Sequence, residues 1–179
     1  MSLSKTILRL FGWKVICTVH DYPKSIICVA PHTSNWDFVL GKLAYWSLGR
    51  QAGFLIKETW FFFPMNLLFK ALGGIPVPRK RRGSSLTEAL INRFRSSDKM
   101  SVAITPEGTR SRVTEWHTGF LRIAYGAGVP IILGAIQASD KTIHLEKTYH
   151  PTGDLEADMA GIKSYYRDFT GIKPENFAV

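Results

Sequence analysis

The sequence contains no long apolar run. Its longest apolar stretch extends from Trp60 to Phe69 and is interrupted by Pro64 and Asn66. A helix that crosses a bilayer needs about 20 consecutive apolar residues, so this stretch is too short to span a membrane. With 45% hydrophobic and 21% charged residues among 179, the composition is globular rather than disordered or fibrous. We therefore expect a single domain over residues 1–179.

Cysteine is also scarce. Cys17 and Cys28 are the two cysteines of the chain, and they fit neither a disulfide framework nor a metal-ligand spacing. The first 17 residues do not resemble a secretory signal, because Arg9 and Lys14 interrupt their apolar part. Unpaired thiols and the lack of such a signal favour a cytoplasmic location.

Acidic residues are few in the first part of the chain. Residues 1–100 carry 15 Lys and Arg against 5 Asp and Glu, whereas residues 101–179 carry 8 against 9, giving a net charge of +9. A positive excess confined to one part of the chain indicates an anionic partner. Nucleic acid, an anionic membrane surface and a phosphorylated substrate all satisfy this condition, and charge alone does not distinguish them.

Apolar segments alternate with helical patterns along the chain. Most of these segments are continuous apolar runs, which is typical of strands that are covered on both faces. Stripes with helical spacing separate some of them. The alternation predicts an α/β domain with a largely parallel central sheet flanked by helices. The predicted strands are Ser25–Ala30, Phe54–Ile56, Gly74–Val77, Met100–Ile104 and Val129–Ile136, and the predicted helices contain Val39–Trp46, Leu86–Phe94 and Leu155–Tyr166.

Residues 1–20 are predicted to form a basic amphipathic segment. Basic side chains alternate there with an apolar stripe of helical spacing, which predicts a short helix. The stripe consists of Ile7, Leu8, Phe11 and Val15.

The segment His32-Thr-Ser-Asn-Trp-Asp37 directly follows a predicted strand. Loops after strand ends carry ligand sites in open α/β sheets. A histidine there can act as a general base near neutral pH, and a carboxylate five residues later can orient the imidazole and stabilise its cation. A structural interpretation stands beside this one, because Ser34, Asn35 or Asp37 could simply cap the following helix. The spacing taken alone favours the structural interpretation.

The segment Thr105-Pro-Glu-Gly-Thr-Arg-Ser-Arg112 also follows a predicted strand. Gly108 allows the backbone to turn, so that amide N–H groups and the Thr109 hydroxyl could converge on an oxyanion. Arg110 adds a forked cationic donor that suits phosphate. A solvated turn with surface arginines is the alternative, but the number of phosphate-binding features in one loop favours an anion site.

Two further cations follow predicted strands. Pro76 and Pro78 fix an extended path that leads to Arg79, whereas the three basic residues after it are typical of a solvated face or a headgroup-binding patch. Lys57 precedes the aromatic segment Trp60–Phe69, which is most often core but could also line an acyl-chain tunnel or contact a membrane. No partner at an informative spacing accompanies His20, His117, His144 or His150.

Taken in order, these segments resemble the glycerolipid acyltransferase family that includes the 1-acylglycerol-3-phosphate acyltransferases. His32 and Asp37 match the family's His-x4-Asp block, and Gly73 or Gly74 through Arg79 match its Gly-x-Ile-Pro-Val-x-Arg type of segment. Pro106-Glu-Gly-Thr-Arg110 matches its third block in full. The match has no counterpart of the N-terminal transmembrane segments found in many members, and Thr105 stands where the third block usually has phenylalanine.

The resemblance implies an O-acyltransferase in which His32 takes the proton of an acceptor hydroxyl and Asp37 orients His32. The acyl donor would be an acyl-CoA or an acyl carrier protein, and neither a cofactor nor a metal is implied. The acceptor would be a lysophospholipid, with 1-acylglycerol-3-phosphate giving phosphatidic acid. Arg79 and Arg110 would hold the acceptor phosphate with Lys57 as a further candidate, and Glu107, Gly108 and Thr109 would shape the acceptor pocket.

Two alternatives remain at this point. The acceptor could be another lysolipid, such as a lyso-ornithine lipid. The chain could instead be a non-catalytic basic module that binds nucleic acid or anionic membrane, although it contains no recognised nucleic-acid motif. We expect no nucleic-acid partner, and we expect peripheral association with the anionic inner face of the membrane.

Overall fold

The computed structural model describes residues 2–77 and 84–179. Within those residues, the chain forms six α-helices and seven β-strands, which alternate along most of its length. The helices are α1 (Leu3–Leu10), α2 (Asn35–Ser47), α3 (Met65–Ala71), α4 (Ser84–Ser96), α5 (Gly119–Ala127) and α6 (Leu155–Tyr166). The strands are β1 (Lys14–Cys17), β2 (Lys24–Ala30), β3 (Gly53–Lys57), β4 (Gly74–Val77), β5 (Met100–Ile104), β6 (Ile131–Gln137) and β7 (Thr142–Tyr149).

These strands form one sheet in the order β1-β7-β6-β2-β5-β3-β4. Strands β2 to β6 run parallel to one another. Strand β7 is antiparallel to β6, and β1 is parallel to β7, so the two strands at one edge run against the other five. The prediction of an α/β fold with a largely parallel sheet is confirmed.

Strand β2 shows why the strands have continuous apolar runs. Ile26 and Cys28 belong to a core with side chains of α4, α5 and α6, whereas Ile27 packs with Tyr45 of α2. Helix α1 lies on the same face as α2, since Leu8 shares a third cluster with α2 side chains. Both faces of the sheet are therefore covered by helices, and the successive residues Ser25 to Cys28 of β2 are all buried.

The N-terminal helix is shorter than the apolar spacing within residues 1–20 predicts. Helix α1 ends at Leu10, and Gly12 has a φ of 77°, a left-handed conformation that glycine adopts readily. Lys14 then begins β1. Val15 therefore lies in the sheet, and its predicted place on a helical face is wrong.

Helices α3 and α5 and strands β1 and β7 lie outside the predicted elements. Strand β7 pairs antiparallel with β6. Its first residues are mostly buried, whereas Glu146 and Lys147 are exposed and the strand ends in partly buried residues. Polar residues therefore interrupt its apolar pattern. A search for continuous apolar runs does not find such a strand.

The aromatic segment Trp60–Phe69 lies largely on the surface, although a core position is the commoner outcome for such a sequence. Phe63 is 78% exposed, and four neighbours are also exposed. No helix of residues 2–77 and 84–179 is both long enough and apolar enough to cross a membrane. The exposed neighbours are Trp60, Phe62, Leu67 and Leu68.

Candidate active site

A cavity of about 610 Å³ lies between α2 and the sheet. His32 and Arg110 line it near the carboxyl ends of β2 and β5, the edge where parallel sheets carry ligand sites. Small residues line both of its sides, with Gly41 on α2 and Ala103 and Gly134 on the strands, so the space between helix and sheet stays open. Its apolar lining includes Val29, Phe38, Phe54, Ile56, Phe69 and Ile136.

His32 and Asp37 are neighbours at the start of α2. The His32 Nδ1 atom lies 3.4 Å from Asp37 Oδ2, with the imidazole partly exposed and the carboxylate buried. Nδ1 has no hydrogen-bond partner among the described residues, and in catalytic sites such hydrogen bonds are often long until substrate binds. Because Nδ1 faces the carboxylate, Nε2 is the ring nitrogen left to accept a proton from substrate.

Asp37 also holds the loop that carries His32. Its Oδ2 accepts the backbone N–H groups of Thr33 at 2.6 Å and of Ser34 at 2.7 Å. The Ser34 side chain caps α2 in turn, so Ser34 and Asp37 form a capping box. The capping interpretation of these residues is therefore confirmed, and the same carboxylate is also beside the imidazole.

Glu107 fixes the backbone of His32. Its side chain is 3% exposed, and both carboxylate oxygens lie 3.1 Å from the His32 backbone nitrogen, whose N–H they accept. Burial raises the pKa of Glu107 from 4.5 to about 7, against the opposing effect of the His32 hydrogen bond. The carboxyl thus ties the loop after β5 to the loop after β2, and it does not line the cavity.

Gly108 cannot be replaced without disturbing the loop after β5. Its φ is +66°, and a Cβ there would lie 2.7 Å from the ring of His117. The His117 backbone N–H also donates to the Pro106 carbonyl at 2.8 Å. His117 therefore braces this loop, a role that has no signal in sequence spacing because the two segments meet only in the folded chain.

The predicted cationic and hydroxyl groups are distributed unevenly around the cavity. Arg110 lines it, whereas Thr109 does not, and the Thr109 hydroxyl accepts the Ser111 backbone N–H at 3.2 Å. Lys57 ends β3 at the same sheet edge, and its side chain is exposed and outside the lining. Arg79 lies outside the described residues, as do the basic residues that follow it.

Lys42 of α2 is also part of the cavity lining. Its ammonium donates to the Ala52 carbonyl at 2.7 Å and lies 5.3 Å from the centre of the Phe54 ring. Burial lowers the pKa of Lys42. Among the residues that the structure describes, no group of three His, Cys, Asp or Glu side chains is placed to hold a metal ion.

The solved structure and the curated proteins that resemble this chain are all named as acyltransferases. A 1-acyl-sn-glycerophosphate acyltransferase, PlsC, from Thermotoga maritima matches 94% of this chain and 78% of its own with a TM-score of 0.60 and 20% identity. The 1-acyl-sn-glycerol-3-phosphate acyltransferase of Salmonella typhimurium is 28% identical over 77% of this chain, and that of Escherichia coli is 27% identical over 79%. The chain spans 58% and 60% of the length of these two relatives.

The family assignment rests on a larger part of the sequence than the predicted motifs. The sequence profile of the Acyltransferase family matches residues 16–136, which include His32, Asp37 and the Pro106–Arg110 loop. The matched region begins in β1 and ends in β6, so it contains the loops after β2 and β5 and all of the cavity lining except Ile143 and Leu145 of β7. This chain belongs to the Acyltransferase family.

Proposed function

We propose that this chain transfers a fatty acyl group from an acyl thioester to the free hydroxyl of 1-acylglycerol-3-phosphate. The observation that carries the proposal is the pairing of His32 with a buried Asp37 beside an apolar cavity. A general base, an apolar space for a hydrocarbon chain and the nearby Arg110 are the parts that acyl transfer to a phosphorylated lipid requires. The curated relatives described above carry this activity in their names.

The reaction needs one general base and no acyl-enzyme. His32 Nε2 takes the proton as the acceptor oxygen attacks the thioester carbonyl carbon, and the buried Asp37 carboxylate stabilises the imidazolium that forms. The new C–O bond completes the ester as the C–S bond breaks. The thiolate leaves with the electron pair of that bond, and the imidazolium returns the proton to it.

The surrounding residues divide into binding and positioning groups. Arg110 binds the acceptor phosphate from the loop after β5, and Lys57 adds charge at the same ends of the strands. Arg79, which lies outside the described residues, is proposed from its sequence motif to bind the same phosphate. Glu107 is a positioning residue, because it binds the His32 backbone N–H and does not line the cavity. The acyl chain of the donor occupies the space beneath α2, between His32 and Lys42.

Release of free thiol tests the reaction and its specificity together. The purified chain is given an acyl-CoA or an acyl carrier protein, with 1-acylglycerol-3-phosphate, another lysophospholipid or a lyso-ornithine lipid as acceptor. The expected result is acceptor-dependent thiol release that is fastest with 1-acylglycerol-3-phosphate. Release that is faster with another acceptor would reassign the substrate, and no release with any pair would contradict the reaction itself.

We also propose that the carboxyl edge of the sheet rests on an anionic lipid bilayer. Strand β1 is antiparallel to β2, so the end of α1 lies at the same edge as the start of α2 and the segment after β3. Each of these three places exposes large apolar side chains, with Leu10 80%, Trp36 65% and Phe63 78% exposed. Phe38 is exposed and also lines the cavity, so the apolar surface continues into the reaction site.

Sedimentation with vesicles tests this surface. Vesicles of phosphatidylglycerol and phosphatidylcholine are incubated with the wild-type chain, with Phe63→Ser and with Leu48→Ser. Leu48 is the matched control, since it is also an exposed apolar residue but follows the far end of α2. Removing one phenylalanine side chain from lipid weakens the free energy of membrane binding by about 1.5–3 kcal/mol. We therefore expect Phe63→Ser to reduce the bound fraction and Leu48→Ser to leave it unchanged. Equal binding by all three proteins would contradict the proposed surface.

A further inference from the structure

A second cavity, of about 670 Å³, lies at the amino ends of the parallel strands, whereas the first lies near their carboxyl ends. It is lined by residues at the amino ends of the parallel strands, among them Pro23 before β2, Gly53 of β3 and Met100 of β5. Lys42 and Ala52 line this cavity as well as the reaction cavity, so a shared wall separates the two. His32, Asp37 and Arg110 of the proposed acyl transfer lie on the other side of that wall, whereas Ile75 of the Gly-x-Ile-Pro-Val-x-Arg segment lines this second cavity.

The lining of this second cavity is strongly basic. Arg50 and Lys42 belong to it together with three exposed cations, Lys70, Arg93 and Lys99. These five residues come from α2, α3, α4 and the two loops that lead into β3 and β5, so the cluster is made by the fold rather than by a run of sequence.

Few negative charges balance these cations. Asp21 is the carboxylate in the lining, and it pairs with Arg50 at 3.3 Å. Within residues 2–77 and 84–179, no ion pair involves Lys70, Arg93 or Lys99. A concave site with three unbalanced cations attracts anions from solution, because low-dielectric walls focus the field.

Aromatic rings accompany the cations. Tyr22 and Trp46 line the same cavity, as do the hydroxyl-bearing residues Ser97 and Ser101. Cations suit phosphate groups, and aromatic faces suit a planar ring that stacks on them. A volume of this size is within the range of small-molecule sites.

The position of the cavity excludes the participants of the acyl transfer. A five-residue strand such as β5 spans about 17 Å, so the cavity lies at that distance from the edge that carries His32. A carrier protein or CoA that delivers a thioester to His32 must approach the other edge, and so must lipid headgroups of the proposed bilayer. This position and a volume of about 670 Å³ favour a soluble small molecule as the occupant.

We propose that this cavity binds a soluble ligand that joins phosphate groups to a planar ring, which is the chemistry of a nucleotide. Lys70, Arg93 and Lys99 hold the phosphates, and Tyr22 and Trp46 contact the ring.

Calorimetric titration of the full chain tests the site without relying on turnover. The probes are ADP, inorganic pyrophosphate and adenosine. ADP is expected to bind one site per chain, pyrophosphate more weakly, and adenosine without measurable heat. Raising NaCl from about 50 to about 200 mM is expected to weaken ADP binding, because it screens the charges.

Two triple variants locate the binding. Replacing Lys70, Arg93 and Lys99 by Gln is expected to weaken ADP binding by at least about tenfold. Replacing the equally exposed Arg122, Lys147 and Arg167 by Gln removes the same charge elsewhere and is expected to leave the affinity unchanged. Arg110→Gln is also expected to leave it unchanged, which separates this site from the acceptor site.

The proposal is overturned by any of three results. These are the absence of saturable ADP binding, equal affinities of the two triple variants, and a loss of ADP affinity in Arg110→Gln. Because each of these readouts is binding, a failure of the proposed acyl transfer would leave the test of this cavity intact.

Discussion

Replacing Glu107 by glutamine should change how the stability of the fold depends on pH. The Glu107 carboxyl is buried, and its pKa is raised from 4.5 to about 7. Between these two values the folded chain keeps a proton that the unfolded chain has lost, so the free energy of unfolding falls as pH rises. A difference of about 2.5 pH units corresponds to about 3 kcal/mol.

Glutamine removes this pH dependence while keeping the hydrogen bond. Its amide oxygen can still accept the His32 N–H, as the carboxylate oxygens do at 3.1 Å. The free energy of unfolding of Glu107→Gln, minus that of the wild type, is therefore expected to rise by about 3 kcal/mol from pH 4.5 to pH 8. All other titrating groups are common to the two chains and cancel in this difference.

Urea unfolding of both chains across this pH range measures the difference. Glu115→Gln removes an exposed carboxylate from the same part of the chain and controls for the change in net charge. A Glu107→Gln difference that stays constant with pH would refute the reasoning, because the carboxylate would then be ionised at no cost. The turnover of Glu107→Gln should also exceed that of Glu107→Ala, because alanine has no acceptor for the His32 N–H.

Two further substitutions test the cavity and the packing of α6. A Cβ at Gly41 would meet no atom within 4 Å, so Gly41→Phe should fill the cavity and slow turnover of long acyl chains more than short ones in a thiol-release assay. Gly41→Ala should instead stabilise α2 by about 0.5–1 kcal/mol, and equal chain-length profiles for the two variants would contradict the assigned cavity. Asp158 is buried and accepts hydrogen bonds from Tyr125, Tyr149 and Thr152. Asp158→Asn should lower the free energy of unfolding by about 2–4 kcal/mol in urea titrations, whereas a change under about 0.5 kcal/mol would show that these bonds add little.

The edge of the sheet that carries the site could be predicted from the sequence. Continuous apolar runs identify β2 and β5 as covered strands, and the polar segments after them then fall at one edge. His32 and the Pro106–Arg110 loop each follow a predicted strand, and the structure brings them into contact through Glu107.

The contact itself could not be predicted. Glu107 and His32 are 75 residues apart, and a buried carboxylate that holds a backbone N–H leaves no local pattern. The same holds for His117, which has no informative spacing but fills the space beside Gly108.

The aromatic segment after β3 shows a different limit of sequence reasoning. An apolar run that packs into a core and one that rests on lipid have the same composition, so burial cannot be told from the run itself. Phe69 lines the cavity, whereas Phe63 is exposed. Which ring faces inward depends on how α3, which connects this segment to β4, packs in the folded chain.

Turnover by His32→Ala tests the central claim most directly. The purified variant is compared with the wild-type chain and with His150→Ala, an exposed histidine, in a thiol-release assay with an acyl thioester and 1-acylglycerol-3-phosphate. Loss of a general base predicts that turnover by His32→Ala is slower by about 100- to 10,000-fold. The unfolding midpoint of His32→Ala and the turnover of His150→Ala are expected to stay close to those of the wild type. Near-wild-type turnover by a folded His32→Ala chain would contradict the account.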